Sequence, residues 1–220
     1  MNAEELASAI DHTILRPDTT SKEIGRFIGE ALVYPFASLC IPPFHLPLAV
    51  RLLRGTEMRL SSVVGFPLGY QSSIVKLREA EEIIQAGGNE IDMVMNLGAF
   101  KSGERHIVAD EIEAIVKACR GMVVKVIIET CLLSTSEKRA ACRLIAESGA
   151  HFVKTSTGFS TGGATVDDVA LLREAAAGQI QVKASGGIRN LDSALAMIEA
   201  GASRIGTSMG VQIVEEQRAR

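Results

Sequence analysis

Short apolar runs recur along this chain, each separated from the next by an amphipathic stretch that ends at a glycine. Three of the junctions are near-copies of one another: "IIQAGGNEIDMV" from residue 83, "LIAESGAHFVKT" from 144 and "MIEAGASRIGTS" from 197. In each, apolar residues at helical spacing stop at a glycine, which accepts the left-handed conformation just past a helix, and a short strand follows within a few residues. The same junction recurs more weakly at Gly55, Gly121 and Gly178. The glycines at 55, 87, 121, 149, 178 and 201 lie 23 to 34 residues apart, the length of one strand, one helix and two loops.

The stretches between the glycines read as helices. From Ser73, apolar groups fall at Ile74, Leu77, Ala80 and Ile84, and after Glu104 at Val108, Ile112, Ile115 and Cys119, both near a 3.6-residue period. The apolar runs resemble strands buried on both faces of a parallel sheet. Eight are predicted, near 10–15, 36–41, 60–65, 89–95, 122–128, 151–155, 180–184 and 203–206. Eight strand–helix units could form an open doubly wound sheet. Regular alternation to eight without a break favours an α/β fold of the (β/α)8 TIM-barrel type, one domain spanning residues 1–220.

Composition narrows the function classes. Hydrophobic residues make up 47% and charged residues 22% of the chain, and no apolar run approaches the roughly 20 residues that span a bilayer, so a soluble protein with no membrane partner is expected. The acidic start "MNAEELASAI" lacks the features of a secretory signal, which predicts a cytoplasmic location. Cys40, Cys119, Cys131 and Cys142 show neither a CxxC pair nor zinc-ligand spacing and read as reduced thiols. A net charge of −3 without a basic cluster argues against nucleic acid as a partner.

Three lysines stand out against this apolar background. Lys125, Lys154 and Lys183 sit inside the fifth, sixth and seventh strands ("VVKVIIE", "FVKTS", "QVKAS") at intervals of 29 residues. Such spacing predicts comparable heights in neighbouring strands, with Asp92 of "EIDMVMN" adding a carboxylate from the fourth. A single lysine of this kind could snorkel to the rim; three with an aspartate point instead to the pocket at the C-terminal ends of barrel strands. An amine near pKa 10.4 is almost wholly protonated at pH 7 and is no nucleophile. Two ammonium groups roughly 5 Å apart at an effective dielectric of about 20 repel by about 3 kcal/mol, enough to lower one pKa by about two units.

Phosphate signals follow in the chain. "ASGGIRN" comes after the seventh strand, and "IGTSMGVQIVEEQ" opens a last helix after the eighth. Backbone amides of Gly186, Gly187, Gly206, Thr207 and Ser208 could cradle a dianion there. Glycine after a strand is often only a turn, and the specific signal is the joint position after strands seven and eight.

Together "IDHTIL", "EIDMVMN", "VIIETCLL", "FVKTSTGF" and "VKASGGIR" resemble the deoxyribose-phosphate aldolase family, over about residues 10 to 214. The resemblance implies a metal-free, cofactor-free class I aldolase that interconverts 2-deoxy-D-ribose 5-phosphate with acetaldehyde and D-glyceraldehyde 3-phosphate through a lysine Schiff base. Carried onto this sequence, the imine-forming lysine is Lys154, the second essential lysine Lys183, and the proton-relay aspartate Asp92. Lys125 matches a lysine of supporting electrostatic role. Thr157, Asp11 and Cys40 match positions near the substrate, although Cys40 reads equally as a core thiol. Phosphosugar and aldehydes are the implied small-molecule partners, and a homodimer or higher homo-oligomer the implied assembly.

The chain departs from the family pattern at Met209, where a second serine is common, and at Pro42, where a polar or aromatic residue is common. It ends at "EEQRAR", without the C-terminal tyrosine of some longer relatives, so proton transfer at the nascent methyl carbon is expected to rely more on water. Two other readings fit the same residues: an imine-forming aldolase for a keto acid or ketose phosphate, and a catalytically silent phosphosugar-binding barrel.

Overall fold

All eight apolar runs form strands, each within two residues of its expected limits, in a computed structural model that describes residues 1–220. They are β1 (Ile10–Thr13), β2 (Ser38–Cys40), β3 (Leu60–Val64), β4 (Glu90–Val94), β5 (Val123–Ile127), β6 (Phe152–Lys154), β7 (Gln181–Ser185) and β8 (Arg204–Thr207). Each pairs in parallel with the next, and β8 closes on β1 with Ile205 opposite Ile10. The barrel is thus the closed form of the two expected architectures. No helix is long and apolar enough to cross a membrane.

Ten helices surround the strands: α1 (Ala3–Ala7), α2 (Ser21–Ala31), α3 (Leu46–Leu52), α4 (Ser73–Gln85), α5 (Leu97–Lys101), α6 (Arg105–Ala118), α7 (Thr135–Glu147), α8 (Val166–Ala176), α9 (Leu191–Glu199) and α10 (Gly210–Arg218). Their limits are written locally. Capping boxes Thr20–Glu23 and Ser134–Glu137 start α2 and α7 by satisfying first-turn amides. The six junction glycines all carry positive φ, between 78° and 111°, as a helix-to-strand loop requires.

Side chains sort strictly by strand face. Outward residues such as Ile91, Met93, Val124, Val126, Val153, Val182 and Ile205 join Ile28, Ile83, Ile112, Ile145 and Leu172 of the helices in one apolar core. The inward face mixes a few apolar groups, Val63, Ile127 and Phe152, with many polar ones: Asp11, Ser38, Ser61, Glu90, Asp92, Lys125 and Lys183 are all fully buried. The strands are therefore not apolar on both faces, as their composition suggested. Helix α6 packs as its period predicts, with Val108, Ile112, Ile115 and Cys119 buried. Helix α4 does not. Ile74 is 60% exposed, and the face turned inward carries Lys76, Ala80 and Ile83, because Lys76 has a carboxylate partner on α6 that the apolar pattern of α4 alone does not disclose.

Candidate active site

Alternation along β4 turns Glu90 and Asp92 into the barrel, and the other strands bring cations to meet them. Asp92 Oδ2 accepts from Lys154 Nζ and from Lys183 Nζ, each at 2.7 Å, while its Oδ1 accepts from Lys125 Nζ at 2.9 Å. Lys183 Nζ also forms an ion pair with Asp11 Oδ2 at 2.5 Å, and Lys125 Nζ with Glu90 Oε2 at 2.6 Å. Arg204 closes the cluster, 2.5 Å from Asp11 Oδ1 and 3.4 Å from Glu90 Oε2. Ser38 and Ser61 donate to Asp11 and Asp92. In the sheet register Lys154 lies opposite Lys183, but Lys125 lies opposite Phe152. Equal spacing therefore aligns two of the lysines and leaves Lys125 two residues lower, because the stagger between β5 and β6 pairs Ile127 with Lys154.

Charge counting separates the amines. Asp11, Glu90 and Asp92 supply three negative charges, and Lys125, Lys183 and Arg204 supply three positive ones, so the interior balances when Lys154 is neutral. Burial pushes Lys183 down, but Asp11 and Asp92 outweigh it and the ammonium is held. Lys125 and Arg204 are likewise held charged against burial by the carboxylates around them. For Asp92, burial favours the neutral acid, but Lys125, Lys154 and Lys183 together keep the carboxyl well below its usual range. Lys154 moves the other way. Burial pushes its amine below the ordinary lysine value, Asp92 opposes this only in part, and the charge of Lys183 adds to the downward push. Repulsion by Lys183 is thus a contributor rather than the leading cause that spacing suggested; desolvation leads.

A cavity of about 500 Å³ opens at the C-terminal ends of the strands, and of the ionic cluster only Lys154 lines it. Asp92, Lys183, Lys125, Asp11 and Cys40 lie beneath. Burial raises the Cys40 thiol, with Asp92 adding to the effect, so it sits beside the cluster as a protonated core thiol. Thr157 lines the cavity with its hydroxyl committed, donating to Glu129 and accepting from the Phe159 amide at 3.1 Å.

Gly186, Gly187, Gly206, Thr207 and Ser208 form one wall of the cavity, and Met209 extends it to the first turn of α10. Gly186 packs against another backbone: a Cβ on Gly163 would sit 2.3 Å from the Gly186 carbonyl oxygen, so the loops after β6 and β7 touch. Gly206 lies within β8 rather than beyond it and contributes space, since a Cβ there would come 3.0 Å from Lys183 Cε and 2.9 Å from Ser185 Cβ. The Thr207 hydroxyl turns back to the Ile188 carbonyl at 2.7 Å and accepts from the Met209 amide at 3.0 Å. Ser208 is exposed at the mouth. No three His, Cys, Asp or Glu side chains gather as a metal site.

A buried amine at the floor of a barrel-top cavity, beside a charged lysine and a carboxylate, is equipment for carbonyl chemistry. Residues 6–216 match the model of the DeoC/LacD family aldolases. The chain belongs to that family. It is 51% identical over 209 residues to a deoxyribose-phosphate aldolase of Staphylococcus epidermidis, covering 95% of each chain, and 50% identical over 215 residues to one of Streptococcus sanguinis, covering 98% of each. Among solved structures it is similar to the deoxyribose phosphate aldolase of Aeropyrum pernix, described as a unique tetramer. There the TM-score is 0.92 at 36% identity, over 99% of this chain and 92% of that one.

Several residues of this aldolase's interior escaped the sequence reading. Glu90 precedes Asp92 by two residues, and Arg204 precedes Gly206 by two; strand alternation would have turned both inward had the expected strands been read for both faces. Glu129 is less legible. It holds a left-handed φ of 49° just past β5, and its buried carboxylate receives both the hydroxyl and the amide of Thr157. Nothing local in "IIETCLL" marks that long-range contact.

Proposed function

We propose that this aldolase interconverts 2-deoxy-D-ribose 5-phosphate with acetaldehyde and D-glyceraldehyde 3-phosphate through an imine on Lys154. The observation that carries the reading is that Lys154, alone among four clustered cationic side chains, both reaches the cavity and lacks a carboxylate of its own. The names of relatives at about half identity over nearly the full chain support the substrate.

Neutral Lys154 attacks the C1 aldehyde of the open-chain sugar, and loss of water leaves an iminium ion. The C3 hydroxyl gives its proton to Asp92 through water, and the C2–C3 bonding pair moves into the iminium. Glyceraldehyde 3-phosphate departs, and the enamine takes a proton at C2 and is hydrolysed to acetaldehyde, restoring the amine. The phosphate is proposed to lie against the amides of Gly186, Gly187 and Ser208 near the start of α10, where it orients C3 against the base. Lys183 keeps its charge throughout, disfavouring a proton on Lys154. A homo-oligomer is the proposed assembly, as in the tetrameric Aeropyrum pernix relative.

Reductive trapping tests the reading. With acetaldehyde and cyanoborohydride, the peptide bearing Lys154 should gain a stable ethyl group, and Lys154→Ala should lose both the adduct and turnover, the latter by about 10⁴-fold or more. Adduct on another lysine, or retained turnover in the variant, refutes the assignment. Release of acetaldehyde, measured against pyruvate and dihydroxyacetone phosphate, separates the proposed substrate from a keto acid or ketose phosphate.

A further inference from the structure

Glu90 is fully buried at the start of β4, and the substrate cavity does not reach it. Its Oε2 lies 2.6 Å from Lys125 Nζ and 3.4 Å from Arg204 Nη1. Its Oε1 makes no hydrogen bond and faces Arg59 at 3.5 Å, an arginine 58% exposed just before β3, at the N-terminal mouth of the barrel. A chain of ion pairs therefore runs through the barrel, from Arg59 through Glu90, Lys125 and Asp92 to Lys154.

We propose that Glu90 is a positioning residue whose charge, acting through Lys125 and Asp92, offsets the positive charge of the barrel interior and so limits how strongly that interior drives the proton off Lys154. The groups surrounding Lys154 are few enough to count. Lys154 itself meets Asp92 of β4, Lys183 of β7 and Cys40 of β2. Behind them, Lys125 of β5 pairs with Asp92, Asp11 of β1 with Lys183 and Arg204 of β8 with Asp11, β3 adds the Ser61 hydroxyl, and Arg189 beyond β7 lines the same cavity as Lys154. With Glu90 in place, Lys125 has a carboxylate apart from Asp92, and the Asp92 charge remains available to Lys154 and Lys183. Without it, Asp92 and Asp11 face three committed cations, and a proton on Lys154 becomes a second surplus charge. Burying an extra charge is costly enough that the network sheds the proton with the fewest partners.

The inference rests on Lys154 as the imine-forming group, and the experiment keeps the two apart. Trapping on Lys154 with acetaldehyde and cyanoborohydride is followed against pH, compared with the parent protein in the same buffers. Because only the neutral amine reacts, the midpoint of the acid limb follows the Lys154 pKa. E90Q removes a negative charge, so the midpoint should fall by about one pH unit, as for a unit charge roughly 10 Å away at an effective dielectric of about 20. R204Q removes a positive charge and should raise it by a similar amount. The double variant, charge-balanced again, should return close to the parent midpoint. R59Q, at the exposed end, should raise it slightly, by about 0.2 to 0.4 unit, and less at high salt.

Unchanged midpoints in the variants that fold, with trapping still on Lys154, overturn the role of Glu90 while leaving the imine reading intact. Loss of thermal stability in E90Q with an unmoved midpoint does the same, because a merely structural carboxylate would behave that way. Should the buried variants fail to fold, an unmoved R59Q midpoint at low salt overturns the proposal and an upward, salt-sensitive one supports it. Absence of any Lys154 adduct in the parent refutes the imine reading instead.

Discussion

Lys76 and Lys154 are both enclosed by the protein, and burial pushes both amines below the ordinary lysine value. Their surroundings differ in two respects. Lys76, on α4, owns its partners: Nζ donates to Glu111 Oε2 of α6 at 2.7 Å and to the Val94 carbonyl at 2.9 Å, and no cavity of the barrel top reaches it. Lys154 shares one oxygen of Asp92 with a second, fully charged lysine and opens onto the cavity. Desolvation is common to both sites and so does not by itself make a nucleophile. What distinguishes Lys154 is a contested carboxylate on one side and room for a carbonyl on the other.

Removing the shared carboxylate should have the largest effect. Asp92→Asn takes away the proposed proton acceptor and the one negative charge adjoining Lys154, so its amine is left even less able to hold a proton. Turnover should fall by about 10² to 10⁴-fold, the usual contribution of a general base, while acetaldehyde is still trapped on Lys154. The divergence between the two readouts is the informative result. Parallel loss of trapping and turnover would mean that Asp92 is needed to form the imine, and the division of labour proposed between amine and carboxylate would be wrong.

A smaller effect is expected from making Lys154 resemble Lys76. Lys183→Leu removes the rival ammonium and gives Lys154 sole use of Asp92 Oδ2. The sign follows directly: with the neighbouring positive charge gone, protonated Lys154 is favoured, its pKa rises, and the acid limb of trapping moves to higher pH. Charges this close shift the midpoint by about one to two units. A stationary midpoint would leave desolvation as the whole cause of the Lys154 shift.

How much of this was legible in the sequence depends on the range of the signal. The barrel was read from patterns that repeat locally, since a glycine ending a helix and an apolar run starting a strand need no distant partner. Lys125, Lys154, Lys183 and Asp92 were visible because charges are out of place in apolar strands. Their relative heights were not, because barrel stagger is fixed by pairing between strands rather than by spacing along them, and Lys125 fell below the other two for that reason. Glu90 and Arg204 sit near strand starts, where charges are ordinary. Lys76 was hidden more completely: in "SIVKLREAEEIIQ" a lysine at position 76 looks like the solvated side of an amphipathic helix, and only Glu111, 35 residues further on, makes it a buried one.

That hidden pair supplies the smallest expected effect on chemistry and the sharpest control for the comparison. Lys76→Met should leave Glu111 buried beside Ser73 without its ammonium and lower stability in urea unfolding by about 3 to 5 kcal/mol, the cost of stranding one partner of a buried ion pair. Adding Glu111→Leu removes the stranded charge, and the double variant should return to within about 1 to 2 kcal/mol of the parent, because a well-packed apolar pair often matches a buried salt bridge. Neither variant should move the pH midpoint of trapping on Lys154, since Lys76 adjoins none of the carboxylates that Lys154 shares. A midpoint shift as large as that of Lys183→Leu would show the two buried clusters to be electrically one, and the contrast between an owned and a contested carboxylate would no longer account for which lysine reacts.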